Sequence, residues 1–151
     1  MFKKILCPVD FSQFTQDVIN YAVDLAKKYG AELHVLHVVP NMTYFTPYES
    51  FLTPENLVVI EKNIQDEVEK KFTRLLKHDD VPTKRAIRTG APFVEIIDYA
   101  KTESIDLIVM GTHGHSGLEH ILIGNVAEKV VRKSPCPVMT IRPKGKEFKM
   151  P

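Results

Sequence analysis

The order of apolar runs along the chain is the feature that most limits its fold. Short apolar runs typical of buried strands cover residues 4–9, 32–39, 106–110 and 137–141, with a weaker run at 83–89. Between them, apolar residues recur at the three- and four-residue spacing of amphipathic helices. Alternating strands and helices favour one parallel sheet with helices on both faces and right-handed crossovers. We therefore predict an α/β fold, a single-domain doubly wound sheet of five parallel strands.

Composition narrows the class of protein further. The chain has 151 residues, 44% of them hydrophobic and 26% charged, and its formal net charge is +1. This is typical of a folded globular domain and gives no broad basic surface for nucleic acid. No apolar run reaches the ~18 residues of a membrane span. The first apolar stretch ends at Pro8, too early for a signal peptide, so we expect a cytoplasmic protein with no membrane partner. We expect the domain to cover residues 1–143, followed by a basic tail at 144–151.

A glycine-rich segment between the fourth strand pattern and the last helix is the strongest functional signal. It reads Met110-Gly111-Thr112-His113-Gly114 and continues nine residues later as Gly124-Asn125-Val126-Ala127. Glycines allow close approach of the backbone, and a helix N-terminus offers free N–H groups to an anion. The spacing G-x2-G-x9-G-N differs from both G-x-G-x-x-G and G-x4-G-K-[ST]. It indicates a phosphate-binding loop of another kind.

Further residues are expected beside this loop. In a doubly wound sheet the ligand crevice lies at the carboxyl ends of the strands, where the strand order reverses. If the first and fourth strands are neighbours there, Pro8-Val9-Asp10 meets Met110-Gly111, with the end of the second strand, His37-Val38-Val39, alongside. Val9, Val38 and Met110 would then form an apolar slot next to the glycine loop. Such a slot suits a nucleotide base, with the phosphates on the loop.

The charge of the loop favours binding over catalysis. Residues 110–127 contain no lysine or arginine, and their histidines are mostly neutral at pH 7. Phosphates would be held by backbone N–H groups, the hydroxyls of Thr112 and Ser116, the Asn125 amide and Mg²⁺. A cation that stabilises a phosphoryl transition state is missing, so we assign no catalytic residue.

Three segments in this order resemble the universal stress protein family, in its ATP-binding branch. The first is Lys3-Lys4-Ile5-Leu6-Cys7-Pro8-Val9-Asp10-Phe11-Ser12, and the second is the G-x2-G-x9-G motif at Gly111, Gly114 and Gly124. The third runs from Asn125-Val126-Ala127-Glu128 to Pro135-Cys136-Pro137-Val138. The resemblance covers nearly the whole chain and is weakest at residues 41–51.

The resemblance implies a Rossmann-like domain with strand order 3-2-1-4-5 that binds an adenine nucleotide, here ATP, and dimerises through its last strand, Val138 to Ile141. It implies that one group of residues surrounds adenine and ribose: Pro8, Val9, Asp10 and Val38. A second group would line the ribose and phosphates: Met110, Gly111, Thr112, His113, Gly114, His115, Ser116 and Gly117. A third would close on the phosphates: Gly124, Asn125, Val126 and Ala127. Asn125 departs from the family pattern, which usually has a serine or threonine there.

Three functions stay open from the sequence. The first is a homodimeric ATP-binding module for stress response, and the second is a slow Mg-dependent ATPase that uses Asp10. The third, made possible by Asn125, is an interaction protein without nucleotide. We favour the first, with Asp10 capping the segment after it or contacting ribose.

The histidines and cysteines do not indicate a metal or redox site. His34 and His37 should point to opposite faces of one strand, so they cannot share a metal ion. His113, His115 and His120 lack an accompanying set of acidic or cysteine ligands. Cys7 and Cys136 lie in separate strand patterns and are interpreted as buried thiols.

The position of Ser12 before the first helical pattern predicts that it caps this helix.

Overall fold

The computed structural model describes residues 1–41, 53–77, 80–114 and 123–144, and within them strands and helices alternate as predicted. The elements are β1 (Lys4–Val9), α1 (Thr15–Tyr29), β2 (Glu32–Val39), α2 (Pro54–Leu75), β3 (Thr83–Thr89), α3 (Pro92–Thr102), β4 (Leu107–Gly111), α4 (Asn125–Lys133) and β5 (Val138–Ile141). The five strands form one parallel sheet in the order β3-β2-β1-β4-β5. This confirms the predicted fold and strand order.

The sheet separates two hydrophobic cores, because successive side chains of a strand point to opposite faces. In β1, Ile5 and Cys7 pack with α1 and the end of α2, whereas Leu6 packs with α3 and α4. All three of these side chains are fully buried. Burial on both faces explains why the central strands are nearly continuous apolar runs.

Helix α2 packs on the sheet only through its second half. Val68 and Phe72 are buried there, whereas Leu57 and Ile60 near the start of the helix are 37% and 36% exposed. The side chain of Thr53 caps this helix by accepting a hydrogen bond from the Asn56 N–H at 3.3 Å. Among the described residues, no helix is both long enough and apolar enough to cross a membrane.

The first helix begins later than the cap prediction placed it. Helix α1 starts at Thr15 and Phe14 precedes it as the N-cap, so the assignment of Ser12 as the cap is wrong. Ser12 instead belongs to a turn, because its N–H donates to Asp10 Oδ1 at 2.9 Å and its carbonyl accepts from the Thr15 N–H at 3.1 Å. The helix ends as expected at Gly30, which has the left-handed φ of 61°.

The two histidines of β2 lie on opposite faces, as predicted. His34 is fully buried on the face of α3, where its Nδ1 lies 2.9 Å from the hydroxyl of Tyr99. His37 lies on the other face and its Nδ1 is 2.8 Å from the carbonyl oxygen of Val9. Oε1 of Glu32 is 2.6 Å from Nε2 of His34 and forms an ion pair with the ring when the ring is protonated.

We expect the free energy of unfolding to fall below about pH 6.5, the ordinary pKa of histidine, partly through His34. Burial lowers the pKa of His34, and Lys84 acts in the same direction, while Glu32 and Glu103 oppose this shift. The folded state therefore binds fewer protons than the unfolded state, and stability present above this pH is lost as the pH decreases. Urea unfolding at pH 7.5 and 5.5 should show a smaller loss for His34→Gln than for the wild type. Equal losses in the two proteins would contradict this assignment.

Candidate functional site

A crevice opens at the carboxyl ends of β1, β2 and β4. The strand order reverses between β1 and β4, and this is where doubly wound sheets leave room for a ligand. The cavity there has a volume of about 290 Å³. The starts of α1, α3 and α4 close it, because each of these helices follows a strand that ends at this edge.

The structure brings together every predicted site residue that lies in its described part. These residues all line the cavity: Pro8, Val9, Asp10, Val38, Met110, Gly111, Thr112, His113, Gly114, Gly124, Asn125, Val126 and Ala127. The predicted residues His115, Ser116 and Gly117 lie outside the described residues. Chain segments more than a hundred residues apart therefore share one cavity.

Several wall residues were not predicted from the sequence. They come from the turn before α1, from α1 itself, from β2 and from α3: Ser12, Phe14, Thr15, Val18, Leu36, Pro92 and Ile96. His37, at the end of β2 that the sequence places beside the crevice, lines the cavity as well. Position in the fold would have indicated the residues of α1 and α3, because both helices begin at the same edge of the sheet as the glycine loop. Applying the rule for the crevice to helix starts as well as strand ends would have identified the residues of α1 and α3.

The cavity contains the apolar slot that the sequence predicted. Val9, Val38 and Met110 are all buried and come from β1, β2 and β4. Ile96 of α3 and Val18 of α1 extend the apolar wall on the two faces of the sheet. A slot of this kind removes water from a flat apolar group such as a nucleotide base.

Close contacts with backbone and side-chain atoms leave little room for a Cβ at Gly111, Gly114 and Gly124. A Cβ at Gly114 would overlap Oδ2 of Asp10. A Cβ at Gly124 would lie 3.0 Å from the carbonyl oxygen of Thr112, which also accepts the Gly124 N–H at 2.6 Å. There is little space at Gly111 as well, because a Cβ there would lie 3.3 Å from the carbonyl oxygen of His113. Side chains at these positions would push the loop apart.

Asp10 links the end of β1 to the turn before α1. Its Oδ1 accepts hydrogen bonds from the Ser12 N–H at 2.9 Å and from the Thr15 hydroxyl at 3.1 Å. This confirms the interpretation of Asp10 as a cap for the segment that follows it. Oδ2 lies on the other side of the carboxyl group, against Gly114 of the glycine loop. Asp10 therefore contacts both sides of the crevice.

The start of α4 lies at the cavity. Gly124 is its N-cap residue and makes no side-chain cap, and Asn125, Val126 and Ala127 line the cavity. The first N–H groups of a helix have no partner within the helix and carry its positive dipole end. An anion in this part of the crevice would therefore be stabilised by backbone groups.

Charged side chains are scarce around the cavity. Its described lining contains no lysine or arginine; Asp10 is its carboxylate, and His37 and His113 are its titratable rings. Thr112 is buried and its hydroxyl is already engaged, 2.8 Å from His113 Nδ1 and 3.4 Å from the Ile141 carbonyl oxygen. A phosphate would have to replace one of these contacts, so its binding by this hydroxyl stays a prediction.

The donor set fits a metal ion only together with phosphate. Among the described residues, no three histidine, cysteine, aspartate or glutamate side chains are grouped to hold a metal ion. Mg²⁺ is usually bound through one or two carboxylates together with phosphate oxygens and water. Asp10 could supply such a carboxylate, while the other ligands would have to come from the phosphates and from solvent.

The two cysteines differ in their surroundings. Cys7 lies fully buried in β1, and burial raises the pKa of its thiol above the ordinary value. Cys136 is only half-buried and lies in the turn before β5, so its assignment to a strand is wrong. Burial also raises the pKa of Cys136, whose sulfur is 3.6 Å from Ser134 Oγ. Both thiols are therefore poorly ionised at neutral pH.

The doubly wound sheet, with its glycine loop at the point where the strand order reverses, defines a Rossmann-like α/β protein. The chain belongs to the universal stress protein family, whose family model matches residues 1–142. This family is the one that the three sequence segments resemble.

Individual relatives agree with this assignment. A universal stress protein of Methanocaldococcus jannaschii is 33% identical over 147 residues, which cover 97% of this chain and 86% of that protein. The solved structure of the universal stress protein UspA from Lactobacillus plantarum is 32% identical, with a TM-score of 0.75, covering 93% of this chain and 98% of that chain. A universal stress protein from Archaeoglobus fulgidus, solved in complex with dAMP, shares the fold at 19% identity and a TM-score of 0.56, covering 92% and 97%.

Proposed function

We propose that this protein is an ATP-binding stress-response protein that acts as a homodimeric binding module. One observation carries the proposal: an apolar slot and a glycine loop at the start of α4 line the same cavity. The slot removes a base from water, and the loop offers N–H groups to phosphates. Nucleotides combine a flat ring with anionic phosphate groups in this way.

The residues around the cavity suggest how ATP would lie in it. Adenine would occupy the slot between Val9, Val38 and Met110. The ribose would lie near Asp10, whose carboxylate accepts hydrogen bonds from hydroxyl groups. The phosphates would follow the loop from Gly111 to Gly114 toward the start of α4, with His115, Ser116 and Gly117 completing the loop as the sequence predicts. Mg²⁺ would offset phosphate charge that no lysine or arginine of the described lining neutralises.

Relatives support an adenine nucleotide as the ligand class. The family member from Archaeoglobus fulgidus was solved with dAMP, so this fold accommodates an adenine nucleotide in that protein. Here, the residues that match the family motif surround one cavity. The ATP-binding branch and the triphosphate ligand rest on the glycine motif of this chain.

The edges of the sheet support a dimer through β5. The outer strand β3 carries Lys84, Arg85 and Arg88, and charged side chains protect a strand edge against pairing with another chain. The strand at the opposite edge, β5, reads Val-Met-Thr-Ile and has no charge. An apolar edge strand pairs readily with a second copy related by a two-fold axis. We therefore propose β5 as the dimer interface.

Extraction of nucleotide from the purified protein tests the proposed ligand. Freshly purified protein is denatured, and the released small molecules are identified by chromatography and mass spectrometry. The nucleotide-free protein is then titrated with ATP, GTP and adenosine in a calorimeter, with and without Mg²⁺. Binding of ATP in preference to GTP would support the proposal. If no adenine nucleotide is recovered or bound, the alternative of a nucleotide-free interaction protein is favoured.

ATP hydrolysis is expected to be very slow, well below the ~1 s⁻¹ at the lower end of ordinary enzyme rates. The reason is the missing cation, since no lysine or arginine of the described lining can stabilise charge on the phosphoryl oxygens. A phosphate-release assay measures the rate.

Asn125→Ser places a hydroxyl at the start of α4 and should tighten Mg-ATP binding.

The Asp10→Ala variant separates the binding module from the slow ATPase. We expect it to weaken ATP binding without selectively lowering a rate, because Asp10 contacts the turn and the loop and is not expected to act as a base. Asp17 is a suitable control, since it is an aspartate in the first turn of α1 that does not line the cavity. A fast steady-state ATPase that is lost in Asp10→Ala, with binding retained, would identify an enzyme instead.

A further inference from the structure

Phe11 adopts a backbone conformation that is unusual for its residue type. Its φ is 57°, in the left-handed region that glycine occupies readily and that a bulky side chain disfavours. It directly follows Asp10, a residue of the candidate site. A strained residue beside a site persists only when its surroundings hold it there.

Three side chains hold the ring of Phe11. The ring centroid lies 4.7 Å from that of His37 and 5.4 Å from that of Phe72, which it meets edge-on. The Nζ atom of Lys71 lies 5.5 Å from the same centroid. Phe72 is fully buried, so the ring is fixed against the core beneath α2. These contacts offset the strain at φ, because aromatic pairs and cations over rings are each stabilising.

The His37 ring that contacts Phe11 is itself tied to β1. Its Nδ1 lies 2.8 Å from the carbonyl oxygen of Val9. A carbonyl oxygen only accepts hydrogen bonds, so Nδ1 carries the proton in this contact. His37 thus holds the residues on either side of Asp10, Val9 by a hydrogen bond and Phe11 by ring contact.

This arrangement fixes the direction of the Asp10 carboxylate. Oδ1 points into the turn that follows, where it accepts from Ser12 and Thr15, and Oδ2 lies against Gly114. We propose that Phe11 is a positioning residue for the nucleotide site: its ring, held by His37 and Phe72, keeps the turn in the shape that sets Asp10 against the glycine loop. This inference rests on the proposed function for its effect on ATP.

Two substitutions at Phe11 separate the ring from the backbone. Phe11→Gly accepts the positive φ but removes the ring, and Phe11→Tyr keeps an aromatic ring. Calorimetric titration with ATP should show about tenfold weaker binding for Phe11→Gly, since coupling through contacting residues is commonly of that size. Binding by Phe11→Tyr should stay within about twofold of the wild type, as expected if the ring is what matters.

Phe2→Ala is the matched control. Phe2 also belongs to an edge-on aromatic pair, with its ring centroid 5.0 Å from that of Tyr29, and it packs on the same core as Phe11. It does not line the cavity. Phe2→Ala should lower the melting temperature without changing ATP affinity.

A double-mutant cycle with Asp10→Asn tests whether Phe11 acts through Asp10. In the Asp10→Asn background, Phe11→Gly should change ATP affinity by less than about twofold. A tenfold loss in both backgrounds would overturn the inference, as would unchanged affinity in Phe11→Gly.

Amide NMR of the nucleotide-free protein separates this inference from the proposed function. Phe11→Gly should shift the Gly114 N–H signal, because Asp10 Oδ2, which lies against Gly114, is displaced, whereas Phe2→Ala should leave it in place. An unmoved Gly114 signal in Phe11→Gly would overturn the role of Phe11. Absence of ATP binding by the wild type would overturn the proposed function and leave this NMR test valid.

Discussion

The Gly114→Val variant is expected to lose measurable ATP binding, a decrease of roughly a hundredfold or more, as for the loss of two or three hydrogen bonds to a charged group. The Cβ of valine would overlap Asp10 Oδ2, and its two methyl groups cannot turn away from the backbone at once. The loop would move away from the end of β1, and the N–H groups that we propose bind the phosphates would be displaced. Calorimetric titration with ATP measures the loss.

Gly30→Ala is the control for this prediction. Gly30 has a φ of 61°, and nothing lies within 4 Å of its Cβ position at the end of α1. The substitution should cost about 1–2 kcal/mol of stability through backbone strain and leave ATP affinity unchanged. A Gly114→Val protein that is folded and binds ATP normally would remove the loop from the site.

The Met139→Lys variant is expected to convert a dimer into a monomer. The wild type should have twice the 17.2 kDa mass of the chain in light scattering at micromolar concentration. Met139 lies in β5 and is 38% exposed in the single chain. A lysine there would place two positive charges across the two-fold axis and mimic the charges that protect β3. The mass of the variant should fall to that of one chain.

Thr83→Lys is the matched control for the dimer. Thr83 begins β3, the strand at the opposite edge of the sheet, and a further lysine among its charges should leave the mass unchanged. A wild-type mass of one chain would refute the proposed dimer. A wild-type dimer that persists in Met139→Lys but dissociates in Thr83→Lys would move the interface to the other edge.

The sequence by itself determined the fold class and most of the candidate site. Strands buried on both faces need continuous apolar runs, and the helices between them need periodic apolar residues. The alternation of strands and helices can therefore be predicted from the sequence alone. The glycine spacing could be recognised for a similar reason. Close backbone contacts, such as that of Gly124 with Thr112, exclude side chains, so glycine stands at these positions in the sequence. The residues at the ends of β1 and β4 followed from the topology.

The tertiary structure alone decided contacts between segments that are distant along the chain. Helix α2 has an apolar pattern over its whole length, yet only Val68, Phe72 and Leu75 are buried, because burial depends on where the sheet lies. The Thr112 hydroxyl is engaged by His113 and by the Ile141 carbonyl oxygen, the latter a contact that only strand pairing creates.

The strained turn at Phe11 is the clearest example of what the sequence leaves open. A phenylalanine in a short polar segment carries no local signal for a left-handed φ, which costs free energy by itself. His37, from the next strand, and Phe72, from the second helix, supply the contacts that offset this cost. The sequence thus determined which segments build the crevice, and the packing between them decided how the Asp10 carboxylate is directed within it.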